Sequence, residues 1–135
     1  MTSAVHTVSV AKNPFVIGSV LTALVALFMT FDTVIKLLQL TLAVQGTVEL
    51  GYPADRVLWI GIIELVAVGL YLVPRTSVLG ALLLTGYLGG AIATHVRVGS
   101  PLLSHTLFPI YVALMLWGGL YLREPRLHEL LPFRR

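Results

Sequence analysis

Four apolar stretches of bilayer-crossing length fill most of this chain and leave few alternatives for its fold. They run at about 14–41, 57–73, 77–98 and 105–122, close to or above the roughly 17–25 residues that a helix needs to span a bilayer. None alternates polar and apolar residues as the strands of a membrane barrel must. The sequence therefore predicts an all-α integral membrane protein, a four-helix bundle whose short loops make neighbouring helices antiparallel. With 135 residues in total, the crossings use up the chain. A single transmembrane domain, 1–135, is expected, with no room for a soluble catalytic domain.

The residues between the stretches agree with this division. Asn13-Pro14-Phe15 suits a helix start, because Asn caps helices and Pro fits the first turn. The first stretch is too long for a signal-peptide core and no small-residue cleavage site follows it, so it is expected to be retained. A turn-rich segment at 46–53, with Glu49, Gly51 and Pro53, separates the first two stretches. Pro74-Arg75 closes the second, Gly99-Ser100-Pro101 the third and Arg123-Glu124-Pro125 the fourth.

Charge is scarce, and its placement carries information about orientation. Charged residues make up 11% of the chain, against about 25% in soluble domains, so the net charge of +3 is no nucleic-acid patch. Four crossings place both termini and the loop after the second helix on one side. That side holds Lys12, Arg75, Arg123, Arg126, Arg134 and Arg135, and the other only Arg56 and Arg97. The positive-inside bias puts both termini in the cytoplasm. The absence of cysteine excludes disulfides, thiolate metal sites and a thiol electron relay.

Against this apolar background Asp32, Lys36, Glu64, His95, Arg97 and His105 stand in or beside the membrane stretches. A charge in hydrocarbon is costly unless paired or wetted, so such groups are functional-site candidates. All fall toward the extracytoplasmic half. Glu64 lies some seven residues into its helix, a depth of about 10 Å, comparable with Asp32. One outward-opening polar cavity is the economical arrangement. Asp32 and Lys36 are spaced i, i+4 and share a face that Gln39 extends; Lys36 either pairs there or snorkels to the interface. Glu64 has no opposite charge on its own helix and must find a partner elsewhere, reach water or hold a proton.

We take Glu64, Asp32 and His95 as candidate catalytic groups, and Asp32, Lys36, Glu64, Tyr87, His95 and Arg97 as candidate ligand contacts. His95 and Arg97 are too close in sequence to share one helix face, so one of them is expected inward. His105 is read as either a pocket or a loop residue. His95 and His105 lack a tight ligand motif, and no metal site is expected. The spacing Gly86-x-x-x-Gly90 points to helix packing or self-association, or to room for a ligand beside Tyr87. Trp59, Tyr71, Trp117 and Tyr121 read as interfacial anchors.

Glu49-Leu50-Gly51-Tyr52-Pro53, Ile60-Gly61-Ile62-Ile63-Glu64-Leu65, Pro74-Arg75-Thr76 and Thr85-Gly86-Tyr87-Leu88-Gly89-Gly90-Ala91, followed by Thr94-His95 and Arg97, together resemble the DoxX-like family. The resemblance implies a four-helix protein of the bacterial inner membrane. It also implies kinship with a group that includes a small subunit of thiosulfate:quinone oxidoreductase and membrane proteins of redox complexes. Without cysteine, a redox role here needs a bound cofactor, a quinone or a partner subunit, and the cofactor is left open.

The leading expectation is a protein that binds a small lipophilic molecule, quinone-like or isoprenoid-like, in an outward-facing polar pocket, alone, as a homo-oligomer or as a redox subunit. An intramembrane acid–base enzyme acting on a lipophile, a proton-coupled small-molecule exporter and a structural or assembly role are the alternatives. The bilayer is the one certain partner, and nucleic acid is not expected.

Overall fold

Asn13 caps the first helix, its side-chain Oδ1 accepting the Phe15 N–H at 3.1 Å, with Pro14 in the first turn. The computed structural model describes residues 13–130, all of whose regular structure is helical. Lys12, Arg134 and Arg135, which enter the charge-based orientation, lie outside the described residues. Helix α1 is Pro14–Leu37, α2 is Thr41–Glu49, α3 is Arg56–Leu72 and α4 is Ser77–Val98. A π-helical turn at Leu102–Thr106 leads into α5, Phe108–Arg123, and a short α6, Arg126–Leu130.

Among the described residues, three segments are long and apolar enough to cross a membrane, Pro14–Leu37, Ser77–Val98 and Leu102–Arg123. Their outward faces are apolar: Leu27, Phe31, Leu82 and Leu114 lie largely exposed, as lipid-facing side chains must.

The first helix is shorter than expected. It ends at Leu37 instead of continuing to residue 41, because Gln39 adopts a left-handed conformation with φ 52°. The Leu40 N–H then returns to the Ile35 carbonyl at 3.0 Å, which turns the chain away from the α1 axis. Gln39 is exposed in this turn and does not extend the Asp32–Lys36 face. The following residues form α2, so half of the expected turn-rich segment is helix. The turn proper is confined to Leu50–Asp55, where Gly51 sits at φ 86°.

Helices α1, α3, α4 and α5 pack side by side, with α1 against both α3 and α5 and with α4 closing the ring against α3 and α5. Hydrocarbon gives no hydrophobic drive for such contacts, so close approach of backbones must supply it. A Cβ on Gly18 would stand 2.8 Å from the Gly119 carbonyl oxygen, and one on Gly119 would stand 3.0 Å from that of Gly18. The start of α1 thus interlocks with the end of α5, which makes them antiparallel. At the same end a Cβ on Gly80 would lie 2.1 Å from the Tyr71 nitrogen, so the α3–α4 hairpin closes without space for a side chain.

Between the helices lies a core of Val25, Met29, Val68, Leu84, Leu116 and Leu120. Tyr71 belongs to it. The residue is 2% exposed, so it is a core residue instead of an interfacial anchor. Trp117 also departs from the anchor role, since its indole N–H donates to Thr85 Oγ1 at 2.8 Å and ties α5 to α4.

Candidate functional site

Gly61 decides where α3 meets α1. A Cβ there would come within 2.9 Å of Lys36 Cβ and 3.3 Å of the Leu37 nitrogen. Only a bare backbone therefore lets the two helices approach so closely at this height. One turn later along α3, Glu64 is carried to the same crossing, and its side chain is wholly buried.

Lys36 turns inward to meet it. Its ammonium donates to Asp32 Oδ2 on its own helix, to Glu64 Oε2 at 2.8 Å and to the Tyr87 hydroxyl oxygen of α4 at 2.6 Å. The Tyr87 O–H in turn donates to Glu64 Oε2 at 2.9 Å. Lysine has three N–H donors, and all are used. Glu64 keeps one oxygen, Oε1, without a hydrogen-bond partner among the described residues. Four residues from three helices thus share a single network, with two carboxylates around one ammonium. Of the two expectations for Lys36, the geometry is that of the inward pair, its side chain 14% exposed.

This network forms one wall of a cavity of about 820 Å³ bounded by α1, α2, α3, α4, the π-helical turn and α5. Asp32, Lys36 and Tyr87 face it, and Glu64 lies behind them. Its apolar lining includes Phe28, Met29, Leu42, Ala91 and Val112. Gly86 and Gly90 also line it, and a Cβ at either would meet nothing within 4 Å. These glycines therefore do not serve helix packing within the chain. They leave the space beside Tyr87 open, the second of the two roles expected of them.

His95 and Arg97 part company, as their spacing predicts. His95 lines the cavity; Arg97 lies exposed, donating to the Leu50 carbonyl at 2.7 Å and lying over the Tyr52 ring. Arg97 thus fastens the end of α4 to the loop after α2 and is absent from the cavity wall. A hydrogen bond of 2.8 Å between the hydroxyls of Tyr52 and Thr94 makes a second fastening.

His105 lies in the π-helical turn, also on the cavity, with its ring 5.9 Å from that of His95 and roughly edge-on to it. Nδ1 of His95 pairs with Ser100 Oγ at 2.9 Å and Nδ1 of His105 with Ser104 Oγ at 2.7 Å. Neither histidine reaches the Lys36 network. No group of three or more metal-ligating side chains occurs among the described residues.

Two residues on this cavity were not expected from the sequence, Glu49 and Tyr52. Both lie in the segment read as a turn. The sequence signal that would have placed Glu49 is the helix of 41–49, which Gly46 obscures because glycine disfavours a helix interior; Tyr52 lies beyond it in the loop.

The arrangement offers an apolar chamber closed at one end by a buried, mostly acidic hydrogen-bond network. No curated protein and no solved structure matches the chain. The sequence pattern of the DoxX-like family, in contrast, matches residues 20–119, a span that holds α2, α3 and α4 whole together with every residue of the Lys36 network and of the cavity lining. The chain is a membrane protein of the DoxX-like family.

Proposed function

We propose that this protein binds a small lipophilic molecule in the cavity beside Lys36, with Asp32 and Tyr87 as its polar contacts and Glu64 as the buried group that fixes Lys36. The observation that carries this reading is the cavity itself: about 820 Å³ of mostly apolar lining with convergent polar groups at one end, the composition typical of small-molecule sites. Such groups inside a membrane are costly and are retained for a purpose.

The reading includes a fourth crossing. Helix α3 has 17 residues, about 26 Å at 1.5 Å per residue, at the short end of the membrane-spanning range. With α1, α4 and α5 it forms a four-helix transmembrane bundle. Arg75, Arg123 and Arg126 then lie on the side of the α1 start, opposite Arg56 and Arg97. The positive-inside bias makes the Arg75 side cytoplasmic and the cavity outward-facing, in a bacterial inner membrane. We place no redox role on the chain itself; a redox assembly would draw on a partner subunit.

The test is native mass spectrometry with an absorption spectrum of protein purified in mild detergent, beside the Glu64→Gln variant. A specific co-purifying lipophile, reduced in the variant, is the expected outcome. Protein free of any bound lipophile, and unable to take one up when offered, would overturn the reading.

A further inference from the structure

The charges around the cavity define the ligand more narrowly. Asp32 and Glu49 line it, Glu64 stands directly behind Lys36, and Lys36 is the one ammonium on the wall. Arg97, the nearest guanidinium in sequence, is held outside by the Leu50 carbonyl. The cavity wall therefore carries two acidic side chains and one ammonium, with a third acid behind that ammonium, in a chain whose overall charge is positive.

The hydrogen-bonding capacity is equally one-sided. Lys36 has spent its three donors on Asp32, Glu64 and Tyr87, and the Tyr87 proton is committed to Glu64. What is left toward a ligand beside this network is acceptor: the second oxygen of Asp32 and the carboxylate of Glu49. Buried in the same network, Glu64 Oε1 has no partner. A carbonyl ligand such as a quinone would bring acceptors to acceptors. A cation brings what the site lacks, and the aromatic rings of Phe28 and Phe108 on the lining add faces attractive to positive charge.

We infer that the cavity selects a lipophilic monocation of the organic ammonium kind, with Asp32 as its counter-ion and Glu49 at the entrance. This rests on the lipophile-binding reading above and names its ligand class. The titratable groups facing the ligand are Asp32, Lys36, Glu49, Tyr52, Tyr87, His95 and His105, with Glu64 behind Lys36.

The experiment is saturable binding to the full chain in dodecyl maltoside, followed by isothermal titration. Decylammonium and tetraphenylphosphonium serve as cations and a decyl-substituted benzoquinone as the neutral lipophile. At least one cation is expected to bind about tenfold or more tightly than the quinone, a difference of about 1.4 kcal/mol. Glu49→Gln, at an exposed position, is expected to weaken the cation about threefold or more and leave the quinone unchanged. Asp32→Asn is expected to weaken it further.

Binding of decylammonium alone would add that N–H donation is required. Quinone binding equal to or tighter than both cations would overturn the inference while leaving the lipophile pocket standing. No saturable binding of any of the three would remove both.

Discussion

The Lys36 ammonium of α1 lies 2.8 Å from the Glu64 carboxylate of α3, a pair separated by 28 residues and formed only when the two helices cross. Asp32 precedes Lys36 by one turn and would neutralise it locally, so the second acid makes the cluster anionic. The consequences can be separated by substitution.

Lys36→Met should be the most damaging change in the network. It leaves Asp32 and Glu64 without their shared cation, and breaking a buried ion pair from one side costs about 3–5 kcal/mol. Glu64→Gln keeps the Lys36–Asp32 pair and an amide oxygen to accept the same hydrogen bonds, so about 1 kcal/mol is expected. Lys36→Met combined with Glu64→Gln should recover part of the loss. Thermal unfolding in detergent gives the order; a larger loss for Glu64→Gln than for Lys36→Met would contradict the charge count.

Glycines near the site should divide into two groups. Gly61→Ala drives a methyl to within 2.9 Å of Lys36 Cβ and should destabilise the α1–α3 crossing by about 1–3 kcal/mol, weakening ligand binding with it. Gly86→Leu and Gly90→Leu project into open space, so stability should hold while the cavity fills. Binding lost with an unchanged unfolding midpoint is the signature for these two. A drop in midpoint equal to that of Gly61→Ala would show that α4 packs through its glycines after all.

The opposite end of the bundle should respond to Gly119→Val without reference to the ligand. Its side chain would strike Thr22 Oγ1, 2.8 Å from the first carbon, and force α5 off α1 at a cost of about 2 kcal/mol or more. Gly69→Ala, which meets nothing within 4 Å, should be neutral or gain up to about 1 kcal/mol from helix propensity. Comparing the two variants by unfolding distinguishes packing from propensity.

Gln39→Gly should stabilise the chain. Gln39 holds φ at 52°, which costs a side-chain-bearing residue about 1–2 kcal/mol that glycine does not incur. A gain of roughly 1 kcal/mol in unfolding free energy is expected. A loss would mean that the Gln39 side chain holds the α1–α2 turn by contacts of its own.

Apolar length and helix-breaking residues made the long helices readable from the sequence. Pro74 and Gly99 stop helices near where they were expected to, because a missing donor or a left-handed cap acts locally. The break after Leu37 was unreadable, since nothing in Leu38-Gln39-Leu40 forbids a helix, and the left-handed turn there is imposed by the path to α2. The shared depth of Asp32 and Glu64 followed from helical rise alone. That Tyr87 would join them required knowing which helices are neighbours, as did the turning of Arg97 toward Leu50. Glu49 stayed hidden because its helix did. Tyr71 misled as an anchor because its position near a helix end says nothing of the side it faces.

One nitrogen atom, that of Lys36, is the meeting point of α1, α3 and α4. The groups that would handle a ligand are the same groups that register three helices against one another, so recognition and assembly are a single linked equilibrium. Occupancy of the chamber must therefore be felt as a change in how firmly the helices hold together. Loss of the Lys36 charge calls for a matching loss at Asp32 or Glu64, whereas Glu64 can be exchanged for its amide with the Lys36–Asp32 pair intact.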